Sequence, residues 1–485
     1  PALLHPLHIL YKQSLVEGAF PQQLKHAKDK PLHKKNERNL ITNYRPISLL
    51  PSVSKVLEKL IHKRLYSFLT SQNIISDRQY GFRPKLSTSD ALCTFLSDTY
   101  THLNNQQSTM AAFLDLSKAF DTIKHSILFH KLHNYGIRGT PLNLIKNYLN
   151  NRTQHCVIGN HKSQTITLPP YGVPQGSVLG PLLFLIYTND ISNAINNTSL
   201  IQYADDTTLY CSGTNQTELR THIITDLKHL VSYFNSNSLQ LNLSKTNYMM
   251  IRAKNTPTNR TLNTSDPDSI RINDTDIQKV NETKFLGVII DNKLSFRPHI
   301  ENTENQVSKG LYALRATKNF LSKKHLGLIY HALVAPHLSY GITFWHSSTK
   351  NHLHKLTVLQ KKAIRIISNA DYNAPSAPLF KELRILPLDK IHNFELQKLM
   401  YRINHKLLPT QIPVAFTTNT PTHNYRTRYR STNPMPARTD RHHLTHKSFV
   451  HIGPQLWNTL PTDVKNRNNL KSFSKCIKSL LLQTL

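Results

Sequence analysis

Apolar and basic positions alternate at helical spacing over residues 4 to 28, and a Lys- and Asn-rich loop follows over 29 to 43. Pro46 disfavours helical geometry in the residue before it and predicts an extended run through Ile47 to Leu50. Residues 53 to 70 carry an amphipathic stripe and read as a helix. Met110 to Leu116 differs: its apolar run is continuous, as in a central strand buried on both faces. Helical spacing returns over 122 to 134 and 139 to 150. Pro181 suits a first helical position, the apolar pattern of a helix continues from Leu182 to Ile195, and Thr217 to Phe234 is a second amphipathic helix. Residues 253 to 276 are polar, hold Pro257 and Pro267, and read as an insertion loop. Phe285 to Asp291, with Leu294 and Phe296, forms a hairpin-like pair. From 301 to 410 the pattern is helical throughout, clearest over Leu326 to Leu338 and Leu353 to Ile367.

A chain of 485 residues with 39% hydrophobic content supports two to four domains with real cores. Lys and Arg number 60 against 28 Asp and Glu, a net charge of +32 that makes nucleic acid the natural partner, since phosphate offsets it. Four widely separated cysteines form no Cys-x-x-Cys unit, which argues against a zinc knuckle or a disulfide framework and for a reducing compartment. No apolar run approaches the length needed to cross a bilayer, so a soluble intracellular protein without a membrane partner is expected. The chain begins at Pro1, not Met, and a fragment of a longer reading frame is expected.

The chemistry centres on carboxylates. In Gln202-Tyr203-Ala204-Asp205-Asp206-Thr207-Thr208-Leu209-Tyr210, two adjacent Asp residues stand between strand-like runs. A two-residue hairpin turn would lift both to the tip of a ribbon, where they could clamp divalent ions with a third carboxylate from a neighbouring strand. Asp115, in Phe113-Leu114-Asp115-Leu116, is that third candidate. An Asp-Asp pair in a turn is ordinarily turn chemistry, so the surrounding motifs matter. Gly172-Val173-Pro174-Gln175-Gly176-Ser177 lies between the acidic elements, and Asn43-Tyr44-Arg45-Pro46 and Gln79-Tyr80-Gly81-Phe82-Arg83-Pro84 precede both. Ser244-Lys245-Thr246 and Lys284-Phe285-Leu286-Gly287 follow. In that order, over about residues 10 to 300, the chain resembles reverse transcriptases of non-LTR (LINE-type) retrotransposons, of the L2, CR1 and jockey kind.

The resemblance implies an α+β right-hand polymerase: fingers over 1–110, a palm with an antiparallel sheet over 111–300 (a polar insertion at about 253–276 and a primer-grip hairpin at 279–296), a helical thumb over 301–410 and a basic C-terminal extension over 411–485. It implies RNA-directed DNA synthesis from a primer 3′ end, with template RNA, primer DNA and dNTPs as partners. Two Mg²⁺ ions, or Mn²⁺, would be held by Asp115, Asp205, Asp206 and the backbone carbonyl of Leu116, since such ions take hard oxygen ligands. Phe120 matches the aromatic residue beneath the incoming sugar, whose ring leaves no room for a 2′-hydroxyl. Gln175 and Gly176 match the loop that contacts nucleotide and template base, Arg45 the fingers arginine on the triphosphate, and Lys35 or its neighbour Lys34 an added point charge. Arg83 matches a template-contacting residue, and Lys245 a lysine that protonates the leaving pyrophosphate. The family works in nucleus and cytoplasm.

Lys355, Lys361, Lys362 and Arg365 form a charge pattern suited to tracking phosphates, and the Tyr- and Arg-rich stretch 417 to 447 one able to stack on bases. The alternative to an enzyme is a catalytically idle, domesticated RNA-binding remnant. Damage to Asp115, Asp205 or Asp206 would mark that class, and all three are present. The acidic residues after 300 form no motif-like group, so primer extension without DNA nicking is expected.

Overall fold

The unbroken apolar run expected to form a central strand does so: Ser108–Leu114 is buried at every position. In the computed structural model, which describes residues 2–34, 36–252, 269–272, 275–408 and 443–485, this strand lies inside a six-stranded sheet. The order is Ser269–Ile272, Thr275–Lys279, Asn247–Ile251, Ser108–Leu114, Asp206–Gly213, Ser199–Tyr203. Side chains alternate across the pleat, so Ala111 and Phe113 enter one hydrophobic core while Met110, Ala112 and Leu114 enter another. The architecture is α+β. The expected antiparallel sheet carries one parallel step, between Asn247–Ile251 and Thr275–Lys279. These outer strands also correct the loop reading of 253 to 276. Ile270, Ile272 and Ile277 point inward and are buried, so the end of that stretch joins the sheet, while 253–268 lie outside the described residues.

The N-terminal helix, Leu4–Glu17, is shorter than its pattern suggests. Gly18 takes a φ of 68° just after it, the left-handed geometry that closes a helix. His26–His33 is then a strand rather than helix and loop, because it finds remote partners: Tyr44–Leu49 antiparallel and Thr153–Ile158 parallel. The helix expected over Leu182 to Ile195 runs Leu179–Thr188 and ends in a 3₁₀ turn, Ile191–Ala194. Pro181 therefore sits third, still within the first turn, where no intrahelical N–H is required. Thr88–Asn104 is a further helix, buried on nearly every face. It opens on a capping box between Ser87 and Asp90.

Helices Arg297–Thr317, Lys323–Leu333, Lys350–Ile367 and Leu388–Asn404 form a C-terminal unit. The stretch Leu326 to Leu338 is two helices, because Ala335–Ser339 restarts after Val334 with Pro336 in its first turn. Phe449–Asn458 and Leu470–Gln483 pack into the same unit. There the buried Trp457 meets the rings of Tyr401 and Phe473, and Gly453 leaves room for Met400, whose Sδ would stand 2.8 Å from an added Cβ. A forked ion pair from Arg402 to the buried Asp90, at 2.7 and 3.1 Å, ties this unit to helix Thr88–Asn104.

One buried carboxylate joins helix Ser52–Ser71 to the loop beside the sheet. Glu58, with no exposed surface, accepts from the backbone N–H groups of Val178 (2.7 Å) and Leu179 (3.2 Å), at the N-terminus of Leu179–Thr188, and from the Tyr148 hydroxyl (3.2 Å). The positive end of the helix dipole and the free N–H groups suit a carboxylate there. Glu58→Ala removes the acceptor of four hydrogen bonds, the fourth from Ser54 Oγ at 3.2 Å, and is expected to destabilise the fold by about 2–4 kcal/mol. Urea unfolding checks this, and an unshifted midpoint would show that water replaces the carboxylate without loss.

Candidate active site

The hairpin Ser199–Tyr203 to Asp206–Gly213 turns through two residues, Ala204 and Asp205, with Tyr203 paired to Asp206. Only the first of the two has positive φ (Ala204, 59°), the pattern of a type II′ turn. Asp205 is therefore in the turn, whereas Asp206 is the first strand residue rather than a second turn residue. The neighbouring strand pairs Leu114 with Thr207, so Asp115, the next residue, comes level with Asp206. Antiparallel register alone thus brings the three carboxylates to one end of the sheet.

The proton affinities of Asp205 and Asp206 record the crowding. Burial raises the pKa of Asp205, its own backbone hydrogen bond and the charges of Arg45 and Lys34 oppose the rise, and Asp115 adds to it. Asp206 reaches solvent at its edge, yet burial first, then the charges of Asp205 and Asp115, push it up to about 6. Like charges held together disfavour the ionised forms, and a cation relieves this. At Asp115 the cation is Lys245: the short strand Leu116–Ser117 pairs with Gln240–Leu241, Asn242 N–H donates to the Asp115 carbonyl at 2.8 Å, and the loop that follows sets Lys245 Nζ 3.3 Å from Asp115 Oδ2. Among the described residues no three carboxylate, imidazole or thiol side chains stand close enough to enclose a metal ion as they are. The donor set nevertheless fits Mg²⁺ or Mn²⁺ in kind, being hard carboxylate oxygens at a solvent-facing edge. Leu116, whose carbonyl is the fourth candidate ligand, is buried beside Asp115 in its short strand.

The remaining candidates surround this edge. Arg45 is exposed on strand Tyr44–Leu49, close enough for its charge to act on Asp205. Lys34 acts on both Asp205 and Asp206, while Lys35 lies outside the described residues. The loop carrying Gln175 is locked to the same strand: Ser48 N–H donates to the Gln175 carbonyl at 2.8 Å. Gly176, at φ 118°, would place a Cβ 2.7 Å from the Ser48 carbonyl oxygen, so no larger residue fits. Gln175 Nε2 donates to Asp121 Oδ1 at 2.8 Å. Phe120, beside Asp121, is half-buried, with its face stacked on Phe184 at 4.8 Å. Arg83 turns back on its own loop, donating to the carbonyls of Ser76 (2.9 Å) and Gln79 (3.1 Å).

In the hairpin-like pair, Phe285, Leu286, Leu294 and Phe296 are buried in the core. The four cations of helix Lys350–Ile367 are partly engaged within the chain: Arg365 with the Ala374 carbonyl (2.9 Å), Lys362 over Tyr372 and Lys355 near Glu304 (3.9 Å). The stretch 417 to 447 lies outside the described residues up to 442.

Gln79 is a contributor that motif matching does not single out. Its Oε1 accepts from Ala204 N–H (3.1 Å) and Gly81 N–H (2.8 Å), while Tyr80 N–H donates to the Gln202 carbonyl and Gln202 N–H to the Arg78 carbonyl. A Cβ on Gly81 would lie 2.2 Å from Ala204 N. The loop Arg78 to Gly81 is thus moulded onto the Asp205 turn. The available signal was Gly81 in a chain with only 14 glycines.

The model of the family "Reverse transcriptase (RNA-dependent DNA polymerase)" matches residues 32–290. The "RNA-directed DNA polymerase from mobile element jockey" of Drosophila melanogaster is 30% identical over 414 residues, 82% of this chain and 43% of that protein. Its counterpart in Drosophila funebris is 31% identical, covering 80% and 43%. The "Probable RNA-directed DNA polymerase from transposon X-element" of Drosophila melanogaster is 28% identical, covering 76% and 40%. The chain therefore spans about two fifths of the length of these relatives. Among solved structures, telomerase from Candida albicans in complex with a fragment of telomeric RNA is 11% identical, with a TM-score of 0.41 over 78% of this chain and 70% of that one. The chain belongs to the reverse transcriptase (RNA-dependent DNA polymerase) family, beside the polymerases of jockey-type non-LTR elements.

Proposed function

We propose that the chain copies RNA into DNA, adding dNTPs to a primer 3′ end by two-metal-ion nucleotidyl transfer in the service of retrotransposition. The observation that carries this is the register that sets Asp115 level with Asp206 and beside Asp205, with the charges of Arg45, Lys34 and Lys245 at the same edge. In the reaction the primer 3′-oxygen forms a bond to the α-phosphorus, the bond to the bridging oxygen breaks, and pyrophosphate leaves. Mg²⁺ bound there would supply the acidity of the 3′-hydroxyl and neutralise the leaving group. Asp115, Asp205 and Asp206, with the Leu116 carbonyl as an added oxygen, would hold the ions.

Arg45 and Lys34, with Lys35 beside it, hold the triphosphate by charge, the guanidinium being suited to forked phosphate contact. Lys245 protonates the departing pyrophosphate, a role its position at Asp115 supports. Gln175 and Gly176 contact the nascent base pair through a loop that Ser48 and Asp121 hold still. Phe120 lies beneath the sugar and excludes a 2′-hydroxyl. In this reading residues 1–110 are fingers, 111–300 palm and 301–410 thumb, and the basic remainder grips template RNA. Among the described residues no helix is long and apolar enough to cross a membrane.

Asp205→Asn should reduce extension of a DNA primer on an RNA template by on the order of 100-fold or more, the scale expected when one group stabilising developing charge is removed. Affinity for the same primer-template should change little, because the basic surface supplies binding. Full-rate synthesis by the Asn variant would remove the metal assignment. Phe120→Val should raise the ratio of ribonucleotide to deoxynucleotide incorporation roughly 10- to 100-fold, through relief of one steric clash. An unaltered ratio in single-nucleotide extension would make Phe120 a packing residue only.

A further inference from the structure

Phe82 carries an aromatic ring in an unusual place. Its φ is 55°, the left-handed region that a bulky aromatic enters only at an energetic cost. The residue remains 44% exposed and, among the described residues, belongs to neither hydrophobic core. Core packing therefore does not account for it. The ring makes a T-shaped contact with Phe120, with centroids 5.9 Å apart and planes at 86°, while Phe184 stacks on Phe120 at 4.8 Å. Phe120 is thus flanked by two rings, one on its face and one across an edge contact.

The placement of Phe82 is fixed on both sides. Before it, Gly81 lies against Ala204 so closely that a Cβ would fall 2.2 Å from the Ala204 nitrogen, and Gln79 bonds the same turn. After it, the Arg83 guanidinium donates to the carbonyls of Ser76 and Gln79 and closes the loop. A loop anchored in this way holds an aromatic ring against Phe120 without help from the core. Aromatic edge contacts favour one relative orientation over its neighbours, so Phe82 restricts how far the Phe120 ring can tilt.

We propose that Phe82 is a positioning residue for sugar selection: it braces Phe120 against the 2′ position of the incoming nucleotide and so sharpens the preference for deoxynucleotides. This rests on the reading of Phe120 as the residue beneath the sugar. Without the brace, the Phe120 ring yields to a 2′-hydroxyl and ribonucleotides enter more readily. The change is smaller than removal of Phe120 itself, since the ring that clashes is still present.

The test is single-nucleotide extension of a DNA primer on an RNA template by the full chain, reading the ratio of rNTP to dNTP efficiency (kcat/KM). Phe82→Ala should raise that ratio by about 3- to 10-fold, the scale of one aromatic edge contact. Phe82→Tyr should restore it, and Phe82→Ala added to Phe120→Val should give no further gain. If Phe120→Val raises the ratio and Phe82→Ala leaves it unchanged, the bracing role is overturned while the sugar-selecting role of Phe120 stands. If neither changes it, the reading of Phe120 fails and takes the bracing role with it. An additive gain in the double variant would show that Phe82 acts by itself, which also overturns the proposal. Should Phe82→Ala give no measurable extension, Phe82→Gly is read in the same way, because glycine adopts the observed φ without strain.

Discussion

Two-sided burial of the strand Ser108–Leu114 is the constraint on which the rest of the structure depends. Its alternate side chains fill two separate cores, one packed with helices Ser52–Ser71, Leu179–Thr188 and Gln216–Ser236, the other with Thr88–Asn104 and the C-terminal helical unit. A shift of one residue would exchange the two sets and place Phe113 where Ala112 belongs, so the register is strongly specified. Asp115 inherits that precision because it is the residue next along. The same hydrogen-bond ladder that buries Leu114 opposite Thr207 fixes the height of Asp115 relative to Asp206. Apolar packing in this way positions a polar site with no help from the polar groups themselves.

At the end of the sheet the forces reverse. Asp115, Asp205 and Asp206 repel one another, and burial raises the cost of keeping Asp205 and Asp206 charged. Lys34 and Arg45 oppose that cost, and Lys245, from a third segment, pairs with Asp115. The chain also meets that cost mechanically. The turn that carries Asp205 holds Ala204 in a left-handed conformation, and the side chain of Gln79 saturates its backbone N–H. Strain and repulsion collected at one edge of an otherwise well-packed sheet are usual for a site whose geometry serves chemistry before stability.

Close backbone approach is the second device. Gly81 against Ala204 and Gly176 against Ser48 are contacts in which a single added carbon would collide with main-chain atoms. Each brings a loop from one part of the chain onto the carboxylate turn or onto the strand that carries Arg45. Glu58 does the corresponding work from below, tying Val178 and Leu179 at the start of a helix to Tyr148. The loop around Gln175 is thus held at both ends by groups that lie far away in sequence.

The sequence by itself determined the central strand, the helices over 53–70, 217–234 and 353–367, the α+β class and, through ordered motifs, the family. Continuous apolar runs and helical stripes are local signals, and Asp115, Asp205, Asp206 and Lys245 stand in short motifs readable without coordinates. The tertiary structure alone decided that residues 26–33 form a strand and that 269–272 and 275–279 extend the sheet, because strand pairing draws on partners that local pattern does not contain. It decided that Thr88–Asn104 is buried nearly all round, between the sheet and the C-terminal helical unit. It decided that Trp457 anchors the C-terminal helices and that Arg83 closes a loop. Gln79 and Phe82 received their neighbours in the same way. Which side chain a glutamine amide or an aromatic edge meets depends on chain segments more than a hundred residues apart for Gln79 and Ala204, and that distance is closed only by packing.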